Sequence, residues 1–245
     1  MKGSTVDWSQ ARIERDELNL LAELVPLAGL QVIELGCGSA RLARDLLARH
    51  PDARVTGLEV DAIQHARNLA APAERLSFIA AGAEAIPLPE AQFDLALMLK
   101  SLHHVPLALM DQALREVHRV LRTGGHLYVS EPVYAGALNQ ITRLYNDEGA
   151  VRAAAQAALD RALASGQWEA AAERHFAVPV RYADFADFER RMLDVTYAER
   201  HLDDDLRPGA DQTKQGQQAQ AKKMFHVVHC MTGQARDNHN QSPTF

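Results

Sequence analysis

Apolar residues recur at helical spacing in the first segment, at Ile13, Leu18, Leu21 and Leu24, and the run ends near Pro26. The period then changes. Gln31 to Leu35 is a short apolar stretch bounded by Gly29 and Gly36, as expected of a buried strand. Leu42, Leu46 and Leu47 return to helical spacing, with Ser39 placed as the N-cap and Pro51 at the close. Arg54 to Glu59 predicts a second strand, and Asp61 is placed to cap the helix after it. Leu76 to Ala80 predicts a third strand and Phe93 to Leu99 a fourth. Met110, Ala113, Leu114, Val117 and Leu121 form a helical stripe with Gly124 as its C-cap, and His126 to Ser130 is the fifth strand.

Strands that are apolar throughout, alternating with helices, predict an α/β fold. It is a Rossmann-like, doubly wound, mostly parallel sheet with helices on both faces. The pattern changes after Glu131. Pro132 to about Gly166 reads as alanine-rich helix, too long for a simple connection, and is expected to be a helical cap inserted after the fifth strand; a dimerisation helix is the alternative. Phe185, Phe188 and Met192 mark another helix, and Val195 to Arg200 a sixth strand. Residues 1–206 are therefore expected to form one domain. Asp203 to Lys223 holds one large aliphatic residue, Leu206, and five glutamines. The segment 207–245 reads as divergent or frame-altered, with one last strand at 225–231 and a disordered end.

Chemistry concentrates at the strand ends. Glu34-Leu35-Gly36-Cys37-Gly38-Ser39-Ala40 joins the first strand to the first helix, where glycines permit a sharp turn and a close ligand approach. A helix start adds unpaired N–H groups and a positive dipole end. Glu59 ends the second strand, where a carboxylate can accept from both hydroxyls of a ribose. The third glycine of the dinucleotide fingerprint is missing, with Ala40 and Arg41 in its place, and Glu34 would repel a pyrophosphate but suits an ammonium group. A nicotinamide oxidoreductase is thereby disfavoured.

Composition narrows the classes further. The formal net charge of −6 argues against wide nonspecific contact with nucleic acid. No apolar run is long enough to span a bilayer, and the first residues lack the apolar core of a secretory signal. Two distant cysteines, Cys37 and Cys230, make no disulfide framework, which fits a reducing compartment. The expectation is a cytoplasmic protein, monomer or homodimer, with no nucleic-acid or membrane partner.

Several segments taken together resemble the class I S-adenosylmethionine-dependent methyltransferases, especially the small-molecule branch that includes the quinone-biosynthesis C-methyltransferases. The resemblance runs from about Val25 to Pro132. It rests on Val32 to Gly38, on Gly57-Leu58-Glu59, on Phe93-Asp94-Leu95 through Ser101-Leu102-His103-His104-Val105, and on Glu116 through Gly125. It implies S-adenosylmethionine as cofactor, S-adenosylhomocysteine as product and a small-molecule methyl acceptor. It further implies that Glu34, Gly36, Cys37 and Gly38 surround the methionine part and that Glu59 holds the ribose. Gly82, Ala83 and Glu84 correspond to the adenine-reading stretch, and Lys100 offers its carbonyl to the cofactor's amino group. Two positions depart from the pattern: Gly82 stands where many members carry an aspartate, and Ala40 replaces a frequent glycine. They motivate a second reading, a catalytically silent protein that binds the adenosyl cofactor as sensor or scaffold.

The catalytic candidates are His103 and His104, after the fourth strand, and Glu131, after the fifth. Tyr134 is a further candidate beside Glu131. His226, His229, Cys230 and His239 do not make a metal site, because strand positions three apart face opposite ways, and no metal is expected. Arg181, Arg190 and Arg191 read as a solvated helix face.

Overall fold

A computed structural model of the chain describes residues 11–196 and 220–232. The elements run β1 (Arg12–Ile13), α1 (Glu17–Leu24), β2 (Gln31–Leu35), α2 (Arg41–Arg49), β3 (Arg54–Leu58), α3 (Ala62–Leu69), β4 (Leu76–Ile79) and β5 (Phe93–Leu99). They continue with α4 (Met110–Val120), β6 (Leu121–Pro132), α5 (Ala137–Thr142), α6 (Gly149–Ala164), β7 (Trp168–Arg181), α7 (Phe185–Met192) and β8 (Gln220–Thr232). One sheet takes the order β1-β7-β8-β6-β5-β2-β3-β4. Neighbours from β6 to β4 are parallel, and β8 runs antiparallel between β6 and β7.

Period-2 alternation splits the core into two layers. Ile33 and Leu35 of β2, Ala96 and Met98 of β5, and Leu127 and Val129 of β6 pack with Met110, Leu114 and Val117 of α4 and Ala155, Ala158 and Leu159 of α6. Val32, Leu95, Leu97 and Tyr128 point the other way, against Leu18 and Leu21 of α1 and Ala43, Leu46 and Leu47 of α2. The same parity puts Glu34 on the α1–α2 side and Glu131 on the α4–α6 side. Strand order reverses between β2 and β5: the chain moves outward through β3 and β4, then returns to build β5 and β6 on the other flank of β2. That reversal opens a crevice beyond the carboxyl ends of β2 and β5.

Several local expectations are corrected. Ile13 lies in β1, paired with Ala177 of β7 and 45% exposed, instead of joining the first helix. Ser39 does not cap α2; the N-cap is Ala40, held at φ +54° with no side-chain cap. Gly124 does not end α4, which stops at Val120. It lies at φ +75° in β6, where the ladder to β5 shifts register between the pairs Phe93–Leu121 and Leu95–His126. Asp61 does cap α3, accepting from the N–H groups of Ile63 and Gln64.

The segment from Pro132 supplies α5 and α6, and the long strand β7, absent from the expected elements, follows. Val195 and Thr196 are not in a strand, and the rest of the expected sixth strand lies outside the described residues, as do 207–219 and 233–245. Strand β8 extends beyond 225–231 at both ends.

Candidate active site

The crevice holds a cavity of about 930 Å³. Leu35, Gly36, Gly38 and Glu59 border it from the β2 and β3 ends, and Gly82 to Glu84 border it from the loop after β4. Lys100, His103 and His104 line it beyond β5, and Leu138, Asn139 and Glu148 close it from the α5–α6 region.

The glycine turn is shaped by contact. Gly36 has φ +67°, and a Cβ there would fall 2.8 Å from the Ser101 Cβ, so a side chain is both strained and obstructed. The Gly38 N–H donates to Glu59 Oε2 at 2.7 Å, and the Asp61 N–H donates to Oε1 at 2.9 Å. These two bonds orient the Glu59 carboxylate while leaving each oxygen a further lone pair. Asn68, on the buried side of α3, donates to the Gly38 carbonyl at 2.7 Å and locks the turn from behind. No motif pointed to Asn68; its only signal was a poor helix former inside a helix. Cys37 turns its side chain away from the crevice, toward Gly57 and Asn68. Burial, with Glu34 nearby, pushes its thiol up to about 12, so it is no nucleophile.

Glu34 is 4% exposed, and its Oε2 is buried without a hydrogen-bond partner. Burial raises its carboxyl to about 8, partly offset by the Lys100 ammonium and by the Ala43 N–H. Lys100 itself sits at φ +59°, an uncommon conformation for a residue with a Cβ, while its N–H donates to the Ser130 carbonyl at 2.7 Å. Its Nζ lies 3.7 Å from Glu17 Oε2 and 5.4 Å from the Phe225 ring centre. At the far end, the Glu84 carboxylate folds over Gly82: a Cβ on residue 82 would lie 2.3 Å from Glu84 Oε1. Glu84 thus fills the space that a side chain at 82 would otherwise take.

Beyond β5, a short 3-10 turn, Leu102–His104, carries both histidines. His103 is 4% exposed and Glu131 8%. The Leu102 N–H donates to Glu131 Oε1 at 3.0 Å, and His103 Nδ1 bonds closely to Glu131 Oε2. Glu131 does not line the cavity; it grips the imidazole from behind, so Nε2 faces forward. In front of that atom lies Glu148 Oε2, at 3.9 Å. Asn146 Nδ2 donates to Glu148 Oε1 at 2.7 Å, and the Arg152 guanidinium forks onto Oε2 and reaches Asn139 Oδ1 at 2.9 Å. Burial opposes charge on Glu148, yet Arg152 holds its carboxyl below the usual range. Glu148 and Arg152 carry no sequence signal of their own, because the group they face, His103, comes from a different stretch of the chain.

Tyr134 does not reach the cavity; it is exposed and donates to Asp147 Oδ1 at 2.8 Å. Arg190 and Arg191 border the cavity and pair with Asp187. His226 and His229 lie in β8, paired across the ladder with Glu131 and Tyr128, and His239 lies outside the described residues.

A parallel sheet with its crevice at a strand-order reversal, a glycine turn on the first helix and a carboxylate ending the next strand makes a Rossmann-like fold whose crevice suits a nucleoside. Residues 32–125 match a methyltransferase-domain family model. The chain is 34% identical over 119 residues to the 27-O-demethylrifamycin SV methyltransferase of Amycolatopsis mediterranei, covering 45% of this chain and 42% of that one. It is 34% identical over 110 residues to the ubiquinone/menaquinone biosynthesis C-methyltransferase of Hahella chejuensis, covering 42% of this chain and 43% of that one. The chain thus spans less than half the length of these curated relatives. A solved S-adenosylmethionine-dependent methyltransferase from Methanosarcina mazei superposes with a TM-score of 0.56 at 15% identity, covering 88% of this chain and 98% of that one. Residues 32–125 thus resemble a methyltransferase domain in sequence, and the chain shares the Rossmann-like fold of solved S-adenosylmethionine-dependent methyltransferases.

The solved structures that share this fold include S-adenosylmethionine-dependent enzymes, and the residues at the crevice can be tested against that cofactor. Glu59 keeps free lone pairs at the crevice and Glu84 covers Gly82, while Glu34 lies behind the glycine turn, outside the cavity lining, with one buried oxygen that has no hydrogen-bond partner. Among the described residues, no helix is long and apolar enough to cross a membrane.

Proposed function

We propose that the protein transfers a methyl group to an O, N or C nucleophile of a small molecule held between the β5–β6 ends and the α5–α6 cap. The observation that carries this reading is one continuous cavity with a nucleoside cradle at one end and the His103–Glu131 pair at the other. When bound, S-adenosylmethionine supplies an electrophilic methyl on a positively charged sulfur.

The chain's residues do the rest. Glu34 and the Gly36–Gly38 turn hold the methionine part, and the Lys100 carbonyl meets its amino group. Glu59 accepts from the ribose hydroxyls with its remaining lone pairs. Glu84, lying over Gly82, accepts from the adenine amino group in place of the aspartate seen in many family members. Glu131 fixes His103 with the Nε2 lone pair facing the acceptor, which is the atom that activates it. Residues 132–166 act as a lid that excludes water, with Leu138 and Asn139 at its inner face. The matched relatives include an O- and a C-methyltransferase, and the 32–125 match ends before the cap, so the acceptor is read by residues outside it.

Calorimetric titration with S-adenosylmethionine and S-adenosylhomocysteine tests the cofactor end, followed by methyl-transfer assays over small hydroxyl, amine and activated-carbon acceptors. Micromolar binding is expected, weakened about 100-fold in Glu59→Ala through loss of two charge-assisted hydrogen bonds. A folded protein that binds neither compound would overturn the proposal. Binding without transfer to any acceptor would leave a sensor or scaffold.

A further inference from the structure

The acceptor end carries a feature that methyl transfer alone does not require. His103, His104 and Glu148 bring one ligand atom each to a common point, all within 4.8 Å of one another. The two imidazole rings are 4.1 Å apart at their centres and tilted by 43°. From this arrangement we propose that His103 Nε2, His104 and Glu148 bind a divalent first-row transition metal, which takes the acceptor's oxygen at an open coordination position. The proposal rests on the methyltransferase reading above and replaces direct proton acceptance by His103 with activation through a metal that His103 holds.

Three independent observations support a metal over a chance grouping. First, Glu131 bonds to the Nδ1 side of His103, the outer-shell carboxylate that fixes a ligating imidazole and leaves Nε2 to the metal. Second, Glu148 is oriented by Asn146 on Oε1 and by the Arg152 fork on Oε2, which fixes its carboxylate beside His103. Third, the local charge leaves room for a cation. Two carboxylates, Glu131 and Glu148, face one guanidinium, Arg152, so with both imidazoles neutral the cluster carries one net negative charge.

The donor set selects the ion. Two imidazoles and one carboxylate suit zinc, iron, cobalt or manganese, whereas magnesium and calcium prefer all-oxygen shells. Ligand atoms bound at about 2.1 Å lie roughly 3 to 3.5 Å apart, so a pair as wide as 4.8 Å must close by about 1 Å or more on binding. His104, exposed on its turn, is the least buried of the three ligands. Three protein ligands leave positions toward the cavity, as catalytic sites require. There the acceptor's O–H bond breaks with its proton passing to bulk water, and the electron pair stays on oxygen as the nucleophile. No electron is gained or lost by the metal.

The test uses tag-free protein, stripped with a chelator and titrated with cobalt(II) chloride. One equivalent is expected to bind per chain, with visible d–d bands typical of mixed nitrogen and oxygen ligation. His104→Ala, at an exposed position, is expected to weaken cobalt binding at least 10-fold without loss of fold. Glu131→Gln is expected to weaken it 10- to 100-fold through its hold on His103. S-adenosylhomocysteine titration of the same samples separates the two readings. S-adenosylhomocysteine binding without stoichiometric cobalt would overturn the metal site and leave the neutral His103 imidazole as a direct proton acceptor, its imidazolium form paired with Glu131 and Glu148. Cobalt binding that persists unchanged in His104→Ala and Glu148→Gln would also overturn it. Loss of nucleoside binding with cobalt intact would sink the methyltransferase reading instead.

Discussion

The two ends of the cavity are built on different principles. At the nucleoside end, the polar groups sit on strand termini and on backbone amides: Gly38 and Asp61 donate to Glu59, and the turn is pinned by Gly36 and Asn68. Each partner lies within one or two neighbouring β–α units. At the acceptor end, His103 meets Glu131 from the adjacent strand and Glu148 from the cap, and Arg152 ties that group to Asn139. The first end is a property of the sheet, and the second exists only once the cap has docked. The comparison teaches that one fold can keep its cofactor while its acceptor changes, since cap residues can vary without disturbing the strand ends.

The sharpest way to break that comparison is to uncouple the two ends. His103→Ala and Glu131→Gln are each expected to lower kcat by about 10²- to 10⁴-fold. S-adenosylhomocysteine affinity is expected to change less than about 3-fold, because neither residue touches the nucleoside end. Single-turnover assays beside calorimetry read both quantities. A parallel loss of kcat and cofactor affinity would show that the two ends form one cooperative unit.

The same division explains which parts of the molecule were legible in the sequence. Strands β2 and β5 were read at their observed bounds, and Asp61 at its cap, because apolar runs and capping side chains are local signals. Glu59 and the Gly36–Gly38 turn were legible for the same reason. Strand β7 was not, because Glu169 to Glu173 are helix-favouring residues that become strand only by pairing with β8. Ser39 and Gly124 misled through residue type: each has the chemistry of a cap, but the chain turns one residue later at Ala40 and already leaves the helix at Val120. Glu148 and Arg152 carry no motif, and their significance lies in the distance to His103, which sequence order does not encode.

A second test addresses charge at the nucleoside end. Glu34 has an ordinary pKa of 4.5 that burial raises to about 8 in the folded chain. Between these values the unfolded chain has released the proton and the folded chain retains it. The unfolded state therefore binds fewer protons, and this group makes stability fall as pH rises from 4.5 to 8, by up to about 1.4 kcal/mol per pH unit. Below 4.5 both states hold the proton, and above 8 both have lost it, so the contribution levels off at each end. Glu34→Gln removes the slope, and its advantage over the parent in thermal midpoint is expected to grow steadily from pH 5 to pH 8. Saturating S-adenosylhomocysteine should shrink that advantage, because the ligand's ammonium group favours the carboxylate. An advantage independent of both pH and ligand would mean that Glu34 is a packing residue and no part of the cradle.

The smallest effect concerns a single functional group on the base. If Glu84 reads the adenine amino group, Glu84→Ala should weaken S-adenosylhomocysteine by about 10-fold, the value of one charge-assisted hydrogen bond. It should scarcely alter binding of S-inosylhomocysteine, which has a carbonyl where adenine has its amino group. The parent is expected to prefer the adenosyl compound and the variant to lose that preference. Adding Gly82→Asp to Glu84→Ala should restore it, because removal of Glu84 vacates the space that a side chain at 82 needs. Gly82→Asp alone is expected to do little, since its Cβ must first displace the Glu84 carboxylate and one acidic group merely replaces another. Equal discrimination in all four proteins would assign base recognition to the backbone of Gly82 and Ala83, leaving Glu84 as the cover over a glycine.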